Sequence, residues 1–192
     1  MDKQKLAQLL QGTTQLKPSS SNQRAYADMI EETACALAAH EYVGFYSPAR
    51  SVRSPEDFTV MDGSVTNYVD VKTRQLGTDF NMPNLISVDR LEKLLSTPDT
   101  ELYYWMIDYR VQADGSCVIE QSEIRSVWSL DWSALSIQNL GKGQLQISNW
   151  EHIRIPVYNK EAWHQELRVR RRAFYLKQAL KFQKMADKIP VV

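Results

Sequence analysis

Three residues of this chain have the chemistry of a metal-assisted hydrolytic site: Asp57, Asp70 and Lys72. Asp70 and Lys72 lie two positions apart in an apolar run that is typical of a β-strand. Because side chains alternate along a strand, these two project from one face, while Val69 and Val71 project from the other. The spacing therefore predicts a carboxylate and an ammonium held side by side. The alternative is a surface strand on which both charges are simply solvated.

Asp57 is expected to join this pair through a β-hairpin. Residues 57–61 and 65–72 have the composition of strands, and Asp62-Gly63-Ser64 between them is a strong turn signal. A hairpin that folds at this turn returns Asp57, at the start of the first strand, to the neighbourhood of Asp70. The sequence thus predicts two carboxylates and one ammonium in a single site.

Carboxylates in this arrangement suit Mg²⁺, which prefers oxygen ligands and commonly takes one or two carboxylates together with phosphate oxygens and water. The predicted ligands are Asp57, Asp70 and the main-chain carbonyl of Val71. Lys72 could orient or deprotonate a water molecule, or stabilise the charge of a pentacovalent phosphorane. Glu31, on a predicted helix, could join the site through a water molecule. A helix carboxylate beside an apolar stripe is, however, more often a flanking residue.

The composition is that of one globular domain. With 192 residues, 43% of them hydrophobic and 24% charged, the chain can bury one core of ordinary size and is not a mainly disordered protein. We expect a single domain over residues 1–192, with an N-terminal helix and connector over 1–22 and the core over 23–192. The N-terminus has no apolar segment typical of a secretory signal, so a cytoplasmic protein is expected.

The charge distribution bears on the class of partner. A net charge of zero argues against a protein that coats nucleic acid non-specifically. Basic side chains nevertheless outnumber acidic ones between residues 160 and 188, so the C-terminal end is locally basic.

Hydrophobic periodicity predicts the order helix, meander, helix, strands, helix. The segment 47–55, which contains two prolines, and the segment after Arg74, which contains Gly77 and Pro83, are expected to be loops. Besides the two hairpin strands, the expected elements are helices over 1–11, 23–39, a segment capped by Ser87 and 160–188, and strands over 102–111, 117–128 and 144–147.

These motifs together resemble a known family. The residues that carry the resemblance are Pro55-Glu56-Asp57, Asp70-Val71-Lys72-Thr73-Arg74 and Asn81-Met82-Pro83-Asn84-Leu85-Ile86-Ser87. In type, order and spacing they resemble the type II restriction endonucleases of the PD-(D/E)XK class, and the similarity covers most of the chain from residue 23. The resemblance implies an α/β (α+β) fold in which a mixed β-sheet is flanked by helices.

The resemblance also implies an activity and partners. Members of this family are Mg²⁺-dependent homodimers that hydrolyse both strands of double-stranded DNA at a short palindromic site. They act in restriction-modification systems beside a cognate DNA methyltransferase. The same activity, cofactor and partners are therefore expected of this chain.

Candidate DNA contacts follow from the same resemblance, because the loop after the Asp-x-Lys strand reads base pairs in the family. The candidates in or beside this loop are Thr73, Arg74, Asn81, Met82 and Asn84. Asn81 and Asn84 are the expected base readers, since an amide can pair bidentately with adenine, although Asn is also a favoured turn residue. Arg170 and Arg172 are candidates for phosphate contacts, although charge runs on helices are usually solvated faces.

Two other functions are compatible with the same motifs. One is a nuclease of DNA repair or recombination, which would recognise DNA structure instead of sequence. The other is a DNA-binding module that keeps the fold without catalysis. The intact trio Asp57, Asp70 and Lys72 speaks against the second, because a binding module does not need it. Plasmid digestion into discrete bands distinguishes a restriction enzyme from a repair nuclease.

Overall fold

The computed structural model describes residues 1–13, 16–18, 22–51, 54–78, 83–154 and 159–189. It divides into two compact units, one formed by Met1–Asn81 and Leu94–Val127 and the other by Met82–Lys93 and Trp128–Val192. The elements in chain order are α1 (Lys3–Gln11), α2 (Gln23–Glu41), β1 (Tyr46–Pro48), β2 (Phe58–Asp62), β3 (Val65–Gln75), β4 (Asn84–Ser87), α3 (Val88–Ser96), β5 (Thr100–Val111), β6 (Cys117–Ser126), β7 (Leu135–Gln138), β8 (Gln144–Ile147) and α4 (Lys160–Ala186).

The first unit is built on a five-stranded mixed sheet. Its strand order is β1-β2-β3-β5-β6, with β3 and β5 parallel and the other neighbours antiparallel. The β2–β3 hairpin turns at Gly63, whose φ of 60° is a conformation that glycine adopts without a steric penalty. Asp62 is the register partner of Val65, so the hairpin is confirmed, but its two loop residues are Gly63 and Ser64, one position later than an Asp62-Gly63 loop.

One face of this sheet forms the hydrophobic core with α1 and α2. Helix α2 buries Ile30, Ala34 and Ala38 on one side, and these small or branched side chains pack over Val69 and Val71 of β3. Alternation along β3 leaves Asp70 and Lys72 on the opposite face. The core thereby decides which face of the strand carries the charged side chains.

The second unit contains a three-stranded antiparallel sheet, β4-β8-β7, and the long helix α4. The start of α4 is anchored by Trp163, whose ring stacks on that of Trp132 with centroids 4.7 Å apart. Its indole Nε1 donates a hydrogen bond of 2.8 Å to the Leu130 carbonyl. Beyond Phe174, none of the described residues of α4 is buried.

Most predicted elements are confirmed, and three short strands are additions. Residues 46–48 and 84–87 pair as β1 and β4 where loops were expected, and β7 was not predicted. Pro48 argues against a strand in the sequence, because proline lacks an N–H donor and is confined to edge strands such as β1. Strand β7, Leu135-Ser136-Ile137-Gln138, alternates as the predicted strand 144–147 does, so its pattern was present in the sequence but was missed. The single-domain interpretation stays a prediction. Among the described residues, none of the helices has the length and apolar character to cross a membrane.

The packing of α2 on the sheet predicts a large cost for truncating its central core residue. Ile30 is fully buried, so Ile30→Ala removes apolar contacts and leaves a cavity. We expect a loss of about 2–5 kcal/mol in the free energy of unfolding, measured by urea denaturation. Glu32→Ala, at an exposed position of the same helix, should change it by less than about 0.5 kcal/mol. Equal effects of the two changes would contradict this packing.

Candidate active site

Strand β3 holds the central pair of the candidate site. The Nζ atom of Lys72 lies 2.5 Å from Oδ1 of Asp70 and 3.4 Å from the Val71 carbonyl oxygen. Both charged side chains belong to the sheet face opposite the core, as the alternation predicts. The exposed fractions of the side chains are 7% for Asp70 and 18% for Lys72, so the ion pair is largely shielded from solvent.

Asp57 reaches this pair through the β2–β3 hairpin. Its main-chain N–H donates to the Val69 carbonyl at 2.9 Å. Its carboxylate oxygen Oδ2 accepts a hydrogen bond of 2.6 Å from the main-chain N–H of Val71. Main chain and side chain thus both attach Asp57 to β3, immediately beside the strand position of Asp70.

The Asp70 carboxylate is unusual in its electrostatics. Burial raises its pKa to about 7; the Lys72 ammonium opposes this rise and the Asp57 carboxylate adds to it. The second oxygen, Oδ2, is buried without a hydrogen-bond donor among the residues that the structure describes. A buried carboxylate oxygen without a donor loses its hydration without replacement, so this position favours either a proton or a cation.

Glu31 on α2 belongs to the same electrostatic environment. Partial burial raises its pKa to about 6, the Asp57 carboxylate raises it further, and the Lys72 ammonium lowers it. Helix α2 thus brings a third carboxylate within electrostatic range of the hairpin. The participation of Glu31 in chemistry stays a prediction.

Two residues of β5 face the site without having been assigned a role from the sequence. Tyr104 is the register partner of Asp70, and its hydroxyl is buried without a partner among the described residues. Burial and the neighbouring Asp70 carboxylate raise the pKa of Tyr104 well above its usual range. Asp108 is aligned with Arg74 and is almost fully buried. Both positions depend on the register between β3 and β5, which no local pattern specifies.

The candidate DNA contacts on β3 differ in their surroundings. The Arg74 guanidinium forms a bidentate pair with Asp108, with distances of 3.0 Å from Nε to Oδ1 and 2.6 Å from Nη2 to Oδ2. Thr73 is half-buried on the α2 side of the strand, opposite Lys72. DNA contact by either residue stays a prediction.

The other candidates lie in the second unit or outside the description. Asn84 is exposed on β4, and its Oδ1 accepts a hydrogen bond from Gln146. Arg170 pairs with Glu166 at 2.6 Å and lies over the Trp132 ring, whereas Arg172 is exposed. Asn81 and Met82 lie outside the described residues.

The donor set can be compared with the needs of Mg²⁺. Among the described residues there is no group of three or more His, Cys, Asp or Glu side chains placed to hold a metal ion. Asp57, Asp70 and the Val71 carbonyl supply two carboxylates and one main-chain oxygen, a common protein share of a Mg²⁺ shell. The buried Oδ2 of Asp70 has no hydrogen-bond donor among the described residues, and burial disfavours the charged form of this carboxylate. These residues therefore fit a divalent cation.

Comparisons with known proteins bear on the fold. No protein-family model matches the sequence, and none of the curated proteins matches it. Among solved structures, the chain is similar to that of the NlaIV restriction endonuclease, with a TM-score of 0.51 and 16% sequence identity. The match covers 77% of this chain and 64% of the NlaIV chain. Within the PD-(D/E)XK class, the motifs around Asp57, Asp70 and Asn84 resemble those of HincII in particular, but this specific likeness is not supported. The chain has a mixed α+β fold similar to a restriction-endonuclease fold, which confirms the predicted fold class.

The burial of Asp70 predicts a carboxyl group that titrates near neutrality in the metal-free protein. Carbon-13 NMR should give an Asp70 pKa of about 7, against 3.8 for an ordinary aspartate. Asp57→Asn should lower this pKa, because it removes a negative charge that disfavours ionisation, while Asp187→Asn on the exposed end of α4 should not. An unchanged Asp70 pKa in Asp57→Asn would contradict the coupling of the two carboxylates.

The same shift fixes the sign of the stability change with pH. Between about pH 4 and pH 7 the Asp70 carboxyl keeps its proton in the folded protein but loses it in the unfolded chain. The stabilisation of the folded state by this proton is therefore complete below about pH 4. This contribution is lost as the pH rises through about 7. Chemical denaturation of the metal-free protein from pH 4 to pH 8 should show this loss, and Asp70→Asn should reduce it.

Proposed function

We propose that this protein is a Mg²⁺-dependent endonuclease that hydrolyses phosphodiester bonds of double-stranded DNA. The observation that supports this most is the juxtaposition of Asp57, Asp70 and Lys72 on one hairpin, with a buried carboxylate oxygen that lacks a donor. Such a site has the oxygen ligands for a cation and a fixed positive charge beside them. The similarity of fold to a restriction endonuclease is consistent with this chemistry.

In this proposal Asp57, Asp70 and the Val71 carbonyl hold the metal. When bound, Mg²⁺ neutralises charge on the scissile phosphate and makes a coordinated water molecule more acidic. The hydrogen bond from the Val71 N–H orients the Asp57 carboxylate, so the hairpin determines where the two ligand groups converge. Burial keeps competing water molecules from the inner oxygen of Asp70.

Lys72 and Glu31 are the chain's candidates for moving or stabilising charge during hydrolysis. The Lys72 ammonium is fixed beside Asp70, where it can orient an attacking water molecule or stabilise the negative charge of the phosphorane. Glu31, whose pKa is raised to about 6, is suited to accept a proton from a water molecule near neutral pH. Its contribution would be made through water and not as a direct metal ligand.

We further infer a restriction role at a short palindromic site. An enzyme with one active site per subunit cuts both antiparallel strands most simply as a symmetric homodimer. This inference rests on the motif resemblance together with the restriction-endonuclease-like fold. It implies a cytoplasmic enzyme acting beside a DNA methyltransferase that protects the same site, without a stable complex between the two.

Variants of the central pair test the proposed catalysis. Asp70→Ala should abolish plasmid cleavage in Mg²⁺, while DNA binding survives or strengthens because a charge that repels phosphate is removed. Lys72→Met should lose turnover and remain folded, because it removes the charge and keeps most of the stem. The matched controls are Asp28→Ala and Lys17→Met at exposed positions. Cleavage by both site variants within a few-fold of wild type would refute the assignment.

Discrete bands from wild type would support sequence specificity over repair activity.

Asn84 tests where sequence is read. If its amide contacts one base, Asn84→Ala should lower affinity for the cognate duplex by about 10-fold to 100-fold and leave a scrambled duplex almost unaffected. Gln146→Ala removes the group that orients the Asn84 amide, so it should weaken cognate binding in the same direction but less. The cognate site comes from the ends of the plasmid fragments. Equal losses for both duplexes would assign Asn84 to backbone contact instead.

A further inference from the structure

Four lysines line one face of the exposed end of α4. They are spaced at i, i+4, i+7 and i+11, which places them on one side of an α-helix. In sequence order they are Lys177, Lys181, Lys184 and Lys188, the last of them just beyond the helix end, and we call them the lysine stripe. No carboxylate of the described chain pairs with any of the four, so the stripe is an uncompensated row of positive charge.

The lysine stripe borders a groove within the second unit. The groove has a volume of about 690 Å³, and its opposite wall is formed by the end of β7 and the residue after it, Ile137, Gln138 and Asn139. Phe174 and Met185 supply apolar surface between the walls. None of the described residues that line the groove is acidic. The described lining of the groove therefore presents no negative charge to an anionic ligand.

Three of the four arginines earlier in α4 differ from the lysines, because each of the three has an acidic partner, whereas Arg172 is exposed. Arg168 pairs with Glu92 at 3.0 Å, Arg170 pairs with Glu166, and Arg171 pairs with Asp89. These pairs direct guanidinium donors towards protein carboxylates. Most of the unpaired positive charge of this helix therefore lies on the lysines of its second half, and Arg172 is the one member of the arginine run to which the described residues offer no ion pair.

We propose that the lysine stripe and its groove dock the phosphate backbone of double-stranded DNA. This inference rests on the proposed nuclease function and adds a binding surface to it. From Lys177 to Lys188 the stripe extends about 16 Å along the helix axis, at 1.5 Å per residue. This length corresponds to about five nucleotides of one DNA strand. Lysine ammonium groups on flexible stems contact phosphates without reading bases, so the surface contributes affinity and not specificity.

Other occupants are less suited to this surface. A helix that lies on a membrane gathers its apolar side chains on one face, but the exposed apolar residues of this segment are distributed around the helix: Leu176, Leu180, Phe182 and Met185. A second copy of the same segment would bring two rows of lysines together and be repelled. The charge of duplex DNA, by contrast, complements the stripe along its whole length.

The test is a binding titration of the full chain with a fluorescein-labelled duplex at several salt concentrations. The stripe variant replaces all four lysines with glutamine, which is also a good helix former: Lys177→Gln, Lys181→Gln, Lys184→Gln and Lys188→Gln. The control variant removes the same number of charges at exposed positions elsewhere: Lys17→Gln, Arg24→Gln, Lys93→Gln and Arg110→Gln. Circular dichroism and melting temperatures verify that both variants are folded.

The proposal predicts a specific change in salt dependence. The slope of log Kobs against log salt should become shallower by roughly 3 to 4 in the stripe variant, since each lost phosphate contact removes about 0.9. The loss should be equal for cognate and scrambled duplexes, and the control variant should change the slope by less than about one. An unchanged slope in the stripe variant, or an equal change in the control, would overturn the proposal.

Two further measurements, DNA cleavage in Mg²⁺ and binding to anionic lipid vesicles, distinguish the remaining outcomes. If wild type binds DNA through the stripe but never cleaves it in Mg²⁺, the proposed nuclease function fails and the stripe assignment holds. If wild type binds no duplex but binds vesicles containing phosphatidylserine, and the stripe variant does not, the DNA assignment is wrong and the surface binds membranes. If the wild type cleaves DNA, and its binding shows the same salt dependence as that of the stripe variant, only the stripe assignment is refuted and the nuclease function holds.

Discussion

The carboxylate of Asp70 lies almost wholly out of solvent, between the ammonium of Lys72 on its own strand and the carboxylate of Asp57 on the preceding segment. Removing a charged carboxylate from water is unfavourable, and the single neighbouring ammonium of Lys72 does not replace all the hydrogen bonds that water supplied. The strand tolerates this position because its other face is deeply packed. Val69 and Val71 lie in the core beneath α2, and they fix β3 in a register that cannot slip without exposing them.

Two strand pairings of the first unit produce this arrangement. The hairpin turn at Gly63 fixes the pairing of β2 with β3, and this pairing places Asp57 against the main chain of Val71. On the other side, the parallel alignment with β5 places Tyr104 next to Asp70. Stability and chemistry therefore oppose each other at one residue. Burial that disfavours the charged form of Asp70 also creates the donor-free oxygen that suits a cation.

In the second unit, the start of helix α4 is packed against the rest of the unit, whereas its end carries exposed charged side chains. Two stacked tryptophans and a hydrogen bond from the Trp163 indole fix the start of α4. In the middle of the helix Arg170 and Arg171 pair with carboxylates, and the lysines of the final turns are exposed to solvent. Those turns are rich in strong helix formers such as Lys, Gln, Leu and Ala, so intrinsic propensity supports them where packing does not. The similarity to a restriction endonuclease concerns the architecture, while any function resides in the particular side chains.

The sequence alone was sufficient for features that depend on local spacing. The period of two along β3 predicts which residues share a face with Asp70, and Asp62-Gly63 predicts the hairpin that returns Asp57. The long helices follow from their 3.6-residue period and caps. Strand β1 escaped prediction because Pro48 argues against a strand, and only its pairing with β2 makes it one. Strand β7 alternates as β8 does, so its signal was present in the sequence.

Tertiary structure alone decided the electrostatic character of the site and of α4. The pKa of Asp70 depends on burial by elements distant in sequence, and the Asp70–Tyr104 and Arg74–Asp108 alignments depend on the register of two strands joined by a long crossover. In α4, Arg168 and Arg171 pair with Glu92 and Asp89 of α3, which lie about 80 residues earlier in the sequence. Charge compensation acts through space and falls off with distance, so it becomes visible only once the chain is folded.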